Sequence, residues 1–327
     1  MKLRPLQDML QNVLRDIPRK AGRKRRSSPE GARTPLEEAA LRAAVLLRSG
    51  MPAIRVWQVL GSESPESPQL VEIARKVAAG TPVPAALAAA DAPAWRTLAA
   101  AWQIAETSGA PLSPALEQFA AGMRALDRVA DRREVLLSGP RSTIRLVAAL
   151  PPLALLLGAG LGFDPLPVIL TPGGVILAAA GVLLLVLGTR WAQALVRRAA
   201  AADRIAGWTH ELCGIALGGG GSSRAALRLV ADCSDSLRAE WVRLAELRRD
   251  GAVAETLAVA AAMGSPAGPL LRGAAENARN DVQSELEREA ERLAIRVLIP
   301  MGLCVLPSFV LLGVVPVLIA VLGGVRV

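Results

Sequence analysis

The chain is poor in the residues that most chemistry needs. Its 327 residues include one histidine, His210, no tyrosine, and three cysteines at Cys213, Cys233 and Cys304. No C-x-x-C spacing occurs, so neither a zinc site nor a disulfide framework has the material to form. A scattered, odd cysteine set fits a reducing compartment. Lysine occurs only at Lys2, Lys20, Lys24 and Lys76, none of them in a G-x-x-x-x-G-K-[ST] loop, which excludes the usual P-loop phosphate cradle. Charged residues are also scarce, at 20% against 52% hydrophobic, with a mean hydropathy of +0.37. Soluble domains carry about 25% charge, so this excess of Ala, Leu and Val points to a membrane.

Three intervals hold no Asp, Glu, Lys, Arg or His: 146–163, 165–189 and 297–325. Crossing the hydrocarbon as a helix takes about 20 apolar residues, because every backbone N–H and C=O must be satisfied inside the segment. The first two intervals are joined by Gly162-Phe163-Asp164-Pro165-Leu166-Pro167 and read as a hairpin, and the third reads as a single span. Arg141 and Arg145 precede the first span, Arg190, Arg197 and Arg198 follow the second, and Arg288, Arg292 and Arg296 precede the third. The hairpin loop has no Lys or Arg. The positive-inside rule therefore puts the N-terminus and both large polar segments in the cytoplasm and the C-terminus outside. The first adequate apolar run begins after residue 145, so no N-terminal signal peptide is expected.

The first polar segment repeats a punctuation mark: Gly50-Met51-Pro52, Gly80-Thr81-Pro82 and Gly109-Ala110-Pro111, with Trp57, Leu87 and Leu116 seven residues after each glycine. Glycine closes one helix in the left-handed conformation and proline opens the next at its first turn, so the pattern predicts helix, turn, helix. The second polar segment carries an eroded copy at Gly220, Gly251 and Gly264-Ser265-Pro266, followed by Leu227, Leu257 and Leu271. Arg124 and Arg279 each stand 15 residues after their glycine, at Gly109 and Gly264. The expected fold is an all-α membrane protein with two duplicated cytoplasmic helical bundles and three transmembrane helices. Its divisions are 1–34 basic tail and linker, 35–143 first copy, 144–190 hairpin, 191–296 shortened second copy, and 297–325 final span. A helical solenoid has similar repeat lengths but does not explain why each copy runs into a span.

This arrangement resembles the type II secretion F-domain family, the platform proteins of type II secretion systems, type IV pili and Tad (Flp) pili, over about residues 35 to 325. In the first half Ala101-Trp102-Gln103-Ile104-Ala105-Glu106-Thr107-Ser108-Gly109-Ala110-Pro111-Leu112, Gly139-Pro140-Arg141 and Asp164-Pro165-Leu166 look like the TadB type. The run from Leu298-Ile299-Pro300 through Pro307-Ser308-Phe309 to Gly313-Val314-Val315-Pro316 looks like the TadC type. The resemblance implies a non-enzymatic scaffold of the bacterial inner membrane, without a cofactor. Its partners would be a cytoplasmic assembly ATPase, pilin or pseudopilin, and further platform subunits. Family members often carry an additional N-terminal span, which this chain lacks, and the shortened second copy departs from the symmetric two-domain pattern.

Candidate docking residues lie on the two helices that enter the membrane: Arg128, Arg132, Arg133 and Glu134, and Arg288, Glu289 and Arg292. Mixed charges at three- and four-residue spacing also describe an ordinary solvated face. Leu3, Leu6, Leu10, Val13, Leu14 and Ile17 recur at helical spacing beside the basic run Arg15–Arg33, which suits either an amphipathic helix on anionic lipid or a disordered tail. His210-Glu211-Leu212-Cys213 lacks the second histidine of a zinc helix and reads as structural, and Gly218–Ser223 lacks a lysine and reads as a turn. Trp57, Trp95, Trp102, Trp208 and Trp241 read as core, and the net charge of +9 sits where topology requires it, so nucleic acid is not an expected partner. A transporter or channel would need ionisable groups in the bilayer, and a membrane enzyme a convergent catalytic set. The charge-free spans and single histidine favour neither.

Overall fold

The computed structural model describes residues 35–90, 92–160, 171–199 and 206–316, with 169, 318 and 319. The basic tail 1–34 and most of the hairpin loop lie outside the described residues, so the readings made of them have no structural counterpart here. Every regular element among the described residues is helical. The first polar segment forms α1 (Pro35–Arg48), α2 (Ala53–Glu63), α3 (Pro68–Ala78), α4 (Val83–Ala88), α5 (Pro93–Ser108) and the start of α6 (Leu112–Gly160). After the hairpin come α7 (Pro172–Ala199), α8 (Trp208–Gly218), α9 (Ser223–Ser236), a 3₁₀ turn at Leu244–Leu247, α10 (Ala252–Met263) and α11 (Ala267–Pro300). The last span continues α11 through π-helical Met301–Val305, α12 (Leu306–Phe309) and π-helical Val310–Val314.

The punctuation marks explain the helix boundaries, with two corrections. Gly50, Gly80, Gly109, Gly220 and Gly264 have φ of 87°, 90°, 78°, 83° and 61°, the left-handed geometry that ends a helix and that side chains resist. Gly251 does not: its φ of −89° and ψ of 160° are extended, and it opens α10 instead of closing a helix. Its lack of a side chain serves close packing, since a Cβ there would collide with the Glu246 carbonyl oxygen. The prolines sit one position earlier than the first turn. Pro52, Pro82 and Pro266 are the N-cap residues of α2, α4 and α11, with ψ near 141°, 141° and 125°. An N-cap needs no N–H, and its carbonyl accepts the first helical bond, as from Val56 to Pro52 at 3.1 Å and from Ala86 to Pro82 at 3.0 Å.

Both polar segments contribute to a single core. Its buried side chains run from Leu36 to Met123 and from Trp208 to Leu271. Trp57 packs on Trp102 at 5.6 Å between ring centroids within the first segment. Phe119 of α6 meets Trp208 of α8 at 5.0 Å, and Trp208 stacks on Trp241 at 5.9 Å, so the aromatic stack crosses from one segment to the other. Trp57, Trp95, Trp102 and Trp208 are buried and Trp241 half-buried. A shared dry core requires both segments to lie on one face of the bilayer.

Three helices are long and apolar enough to cross a membrane: α6, α7, and α11 with its π-helical continuation. A second, smaller core binds them, made of Leu137 and Ile144 of α6, Ala192 and Val196 of α7, and Leu293, Val297, Met301 and Val305 of the third. Large aliphatic side chains such as Leu146, Leu156, Leu183, Ile299 and Leu303 are left exposed on the outside, as lipid contact demands. α6 runs unbroken from the lobe into the span. At 1.5 Å per residue it is about 74 Å long.

Candidate functional site: the neck between lobe and membrane

The lobe is fastened to the two long helices by a pair of ion pairs with matching positions. In each segment a glutamate in the first turn of the leading helix is buried: Glu37 of α1 and Glu211 of α8. Glu37 Oε1 forms an ion pair with Arg124 Nε of α6 at 2.9 Å, and Glu211 Oε1 accepts from Arg279 Nη2 of α11 at 2.5 Å. These are the two arginines that stand 15 residues after Gly109 and Gly264. A carboxylate in a first turn also faces the positive end of its helix dipole, which offsets part of the cost of burial.

The second pair lies where the segments meet. Gln118 Nε2 of α6 donates to the Glu211 backbone carbonyl at 3.3 Å, and the Arg279 guanidinium carbon sits 5.9 Å from the Trp208 ring centroid. Gly122 of α6 gives Glu211 its space, since a Cβ there would land on Glu211 Oε2 and 3.0 Å from the Trp208 ring edge. Burial raises the Glu211 pKa to about 7, and the charge of Arg279 and then its hydrogen bond pull it back only partly. Further joints are Arg96 to Glu240 at 2.6 Å and Ser113 Oγ to the Ala44 carbonyl at 2.8 Å.

Below these pairs α6 and α11 descend side by side, and the sequence-predicted docking residues divide between them. Arg132 bridges to Glu287 at 3.2 Å across the two helices. Arg133 is buried and lines a small cavity with Leu136, Leu137, Ala199, Leu286, Glu289 and Ala290. Arg132 thus joins the helices to each other, and Arg133 and Glu289 line the cavity between them. Arg128, Glu134, Arg288 and Arg292 face outward, Arg288 lying 3.6 Å from Glu285 on its own helix.

The remaining sequence candidates have packing roles. His210 is buried, its Nδ1 3.9 Å from Glu246, and desolvation lowers its pKa. Cys213 lies one turn on, buried, with its thiol pKa pushed up to about 12 by desolvation and then by Glu246. Among the described residues no three His, Cys, Asp or Glu side chains converge on a metal-sized site. The glycine run before α9 is a packed corner: a Cβ on Gly219 would strike the Ser108 carbonyl, and Ser222 caps α9 by accepting from Ala225 N at 3.3 Å.

Neither ion pair has a local signature, since each glutamate lies far along the chain from its arginine and the stretch around Glu211 reads only as structural; the equal spacing of Arg124 and Arg279 is the signal that points to them. The chain matches no curated protein. Residues 39–159, the stretch from α1 to the end of the first span, match the family described as Type II secretion system (T2SS), protein F.

Proposed function

We propose that the protein is a platform of a secretion or pilus-assembly machine in the bacterial inner membrane, a scaffold that carries motion from an ATPase to pilin subunits. The observation that carries this reading is the family match over residues 39–159, the segment whose last helix runs unbroken from lobe to bilayer. A helix continuous from lobe to bilayer transmits rotation or tilt, with Pro140, Pro151 and Pro152 as its bending points. Its companion, α11, is bolted to it by Arg132–Glu287 and shares the second core. The outward charges at Arg128, Glu134, Arg288 and Arg292 are the ATPase-facing surface in this proposal, and the exposed aliphatic belt is the pilin-facing one.

Flanking arginines support a cytoplasmic N-terminus and an external C-terminus. The repeated Glu–Arg pairs support a duplicated cytoplasmic unit whose second copy is shortened. The sequence patterns around Trp102 and Pro307 support the Tad (Flp) branch. A channel or transporter reading is not favoured, because the described parts of the charge-free intervals 146–163, 165–189 and 297–325 hold no Asp, Glu, Lys, Arg or His.

The test is deletion of the gene in its host together with pull-down on the full-length tagged chain. Loss of surface filaments or secretion, with an assembly ATPase recovered in the pull-down, is the expected outcome. Intact piliation and secretion after deletion would refute the proposal. A cysteine at position 240 should stay unlabelled by an impermeant thiol reagent in intact cells.

A further inference from the structure

The three membrane-entering helices carry a collar of arginines around the neck. Ile144, Ala192, Val196, Leu293 and Val297 belong to one neck core, so their chain neighbours surround it in a band about two helical turns deep. Those neighbours are Arg141 and Arg145 on α6, Arg190, Arg197 and Arg198 on α7, and Arg296 on α11. All six are exposed, and none has an ion-pair partner among the described residues. The other charged groups near this band are Arg133 and Glu289, which line a cavity with Ala199, exposed Glu134, Glu291 and Arg292, and the pairs Arg288–Glu285 and Arg132–Glu287. They leave a large surplus of positive charge on a narrow neck.

Immediately on the membrane side of the collar the exposed surface turns apolar on every helix: Leu146 and Leu150 on α6, Leu183 and Leu187 on α7, Leu298 and Ile299 on α11. Trp191 sits in the collar itself, 43% exposed, where an aromatic ring with one polar edge suits the headgroup level. A partner that satisfies both zones must present anionic groups beside aliphatic chains. An acidic protein segment offers the first without the second.

We propose that this collar binds the headgroup phosphates of anionic phospholipids in the lobe-side leaflet, with their acyl chains lying on the adjacent leucines. Unpaired guanidinium groups take phosphate oxygens in two-pronged, charge-assisted hydrogen bonds, which zwitterionic headgroups weaken by carrying their own cation. The inference depends on the chain crossing a bilayer, not on the platform role.

The experiment uses the full-length chain in nanodiscs of phosphatidylcholine alone or with phosphatidylglycerol mixed in, followed by thermal unfolding and by mass spectrometry of retained lipid. Wild type should retain phosphatidylglycerol several-fold over its share of the mixture and unfold at higher temperature in its presence. The variant R141Q/R145Q/R190Q/R197Q should lose that enrichment and that shift while unfolding as wild type does in phosphatidylcholine. The single variants R145Q, R190Q and R296Q should lose it in part, and serve if the quadruple variant does not insert. R224Q/R228Q, on the lobe, should keep both effects. Equal retention of the two lipids by wild type, enrichment that survives the substitutions, or a matching shift from inorganic phosphate alone would overturn the proposal.

Discussion

At Gly122 a missing methyl group sets how closely α8 approaches α6. Its Cβ would overlap the Glu211 carboxylate and press on Trp208, both buried, so neither neighbour has room to withdraw. Gly122→Ala is expected to lower lobe stability by about 1–3 kcal/mol, the usual cost of overpacking a filled core. Gly273→Ala, in the interior of α11 and not followed by proline, is the control. Nothing lies within 4 Å of its Cβ position, and replacing a helical glycine gains about 0.5–1 kcal/mol. Thermal unfolding of the detergent-solubilised protein should move in opposite directions for the two. Glu211 adds a pH dependence. Its carboxyl ordinarily titrates near 4.5 and in the folded protein near 7, so between those values the folded state holds a proton that the unfolded state has lost. The stability this group contributes is full below about pH 4.5 and is lost as pH rises through about 7. Buried His210, with a lowered pKa, has the opposite slope, so the difference between wild type and Glu211→Gln isolates the carboxyl. The variant should gain on wild type in denaturation midpoint as pH rises from about 5 to about 7.5. None of this was legible in the residue string. Arg279 was visible by its spacing, but a carboxylate 68 positions away has no local signature.

The elements were far more legible, because helix ends and membrane spans are local properties. Charge-free runs placed all three spans, and left-handed glycines placed five helix ends. The last span shows what pattern reading misses. Each of its π-helical stretches has, as its middle residue, the one whose carbonyl a proline four positions on would strike: Leu303 before Pro307, and Leu312 before Pro316. Widening the turn moves that carbonyl aside and tolerates the missing N–H without a sharp kink. The widened helix packs on glycines of α7. A Cβ on Gly188 would lie 2.7 Å from Cys304 Cβ and 3.1 Å from Val305, and one on Gly181 would lie 2.6 Å from Leu312. Small residues let spans touch where lipid gives no hydrophobic drive for association. Gly188→Ile should therefore part the second and third spans and cost about 1–3 kcal/mol of bundle stability. Gly173→Ile, with open space around it, should not. Heat-induced aggregation of the solubilised variants compares the two directly.

For the whole molecule, two polar segments separated by a membrane hairpin read as two lobes, since each has its own helix punctuation and its own helix into the bilayer. The structure merges them over one core: α8 packs on α9 and α11 of its own segment and also on α5 and α6 of the other. Trp208 rests on Phe119, Glu211 on Gln118 and Gly122, and Arg96 reaches across to Glu240. A segment that borrows its core from another is not an independent folding unit. Residues 206–296 expressed alone would uncover the face of α8 at Trp208 that rests on Phe119, buried in the intact chain. We expect that fragment to be aggregated or to lack a cooperative thermal transition by circular dichroism. Co-expression with residues 35–143 should yield a soluble complex that elutes as one species and melts in one step. Phe119→Ala should weaken that complex, because it removes the ring against Trp208 and leaves a cavity, typically at a cost of 3–5 kcal/mol. A fragment 206–296 that melts cooperatively by itself would mean that the shared core is an interface between two domains, and that force reaching the neck could enter through either one separately.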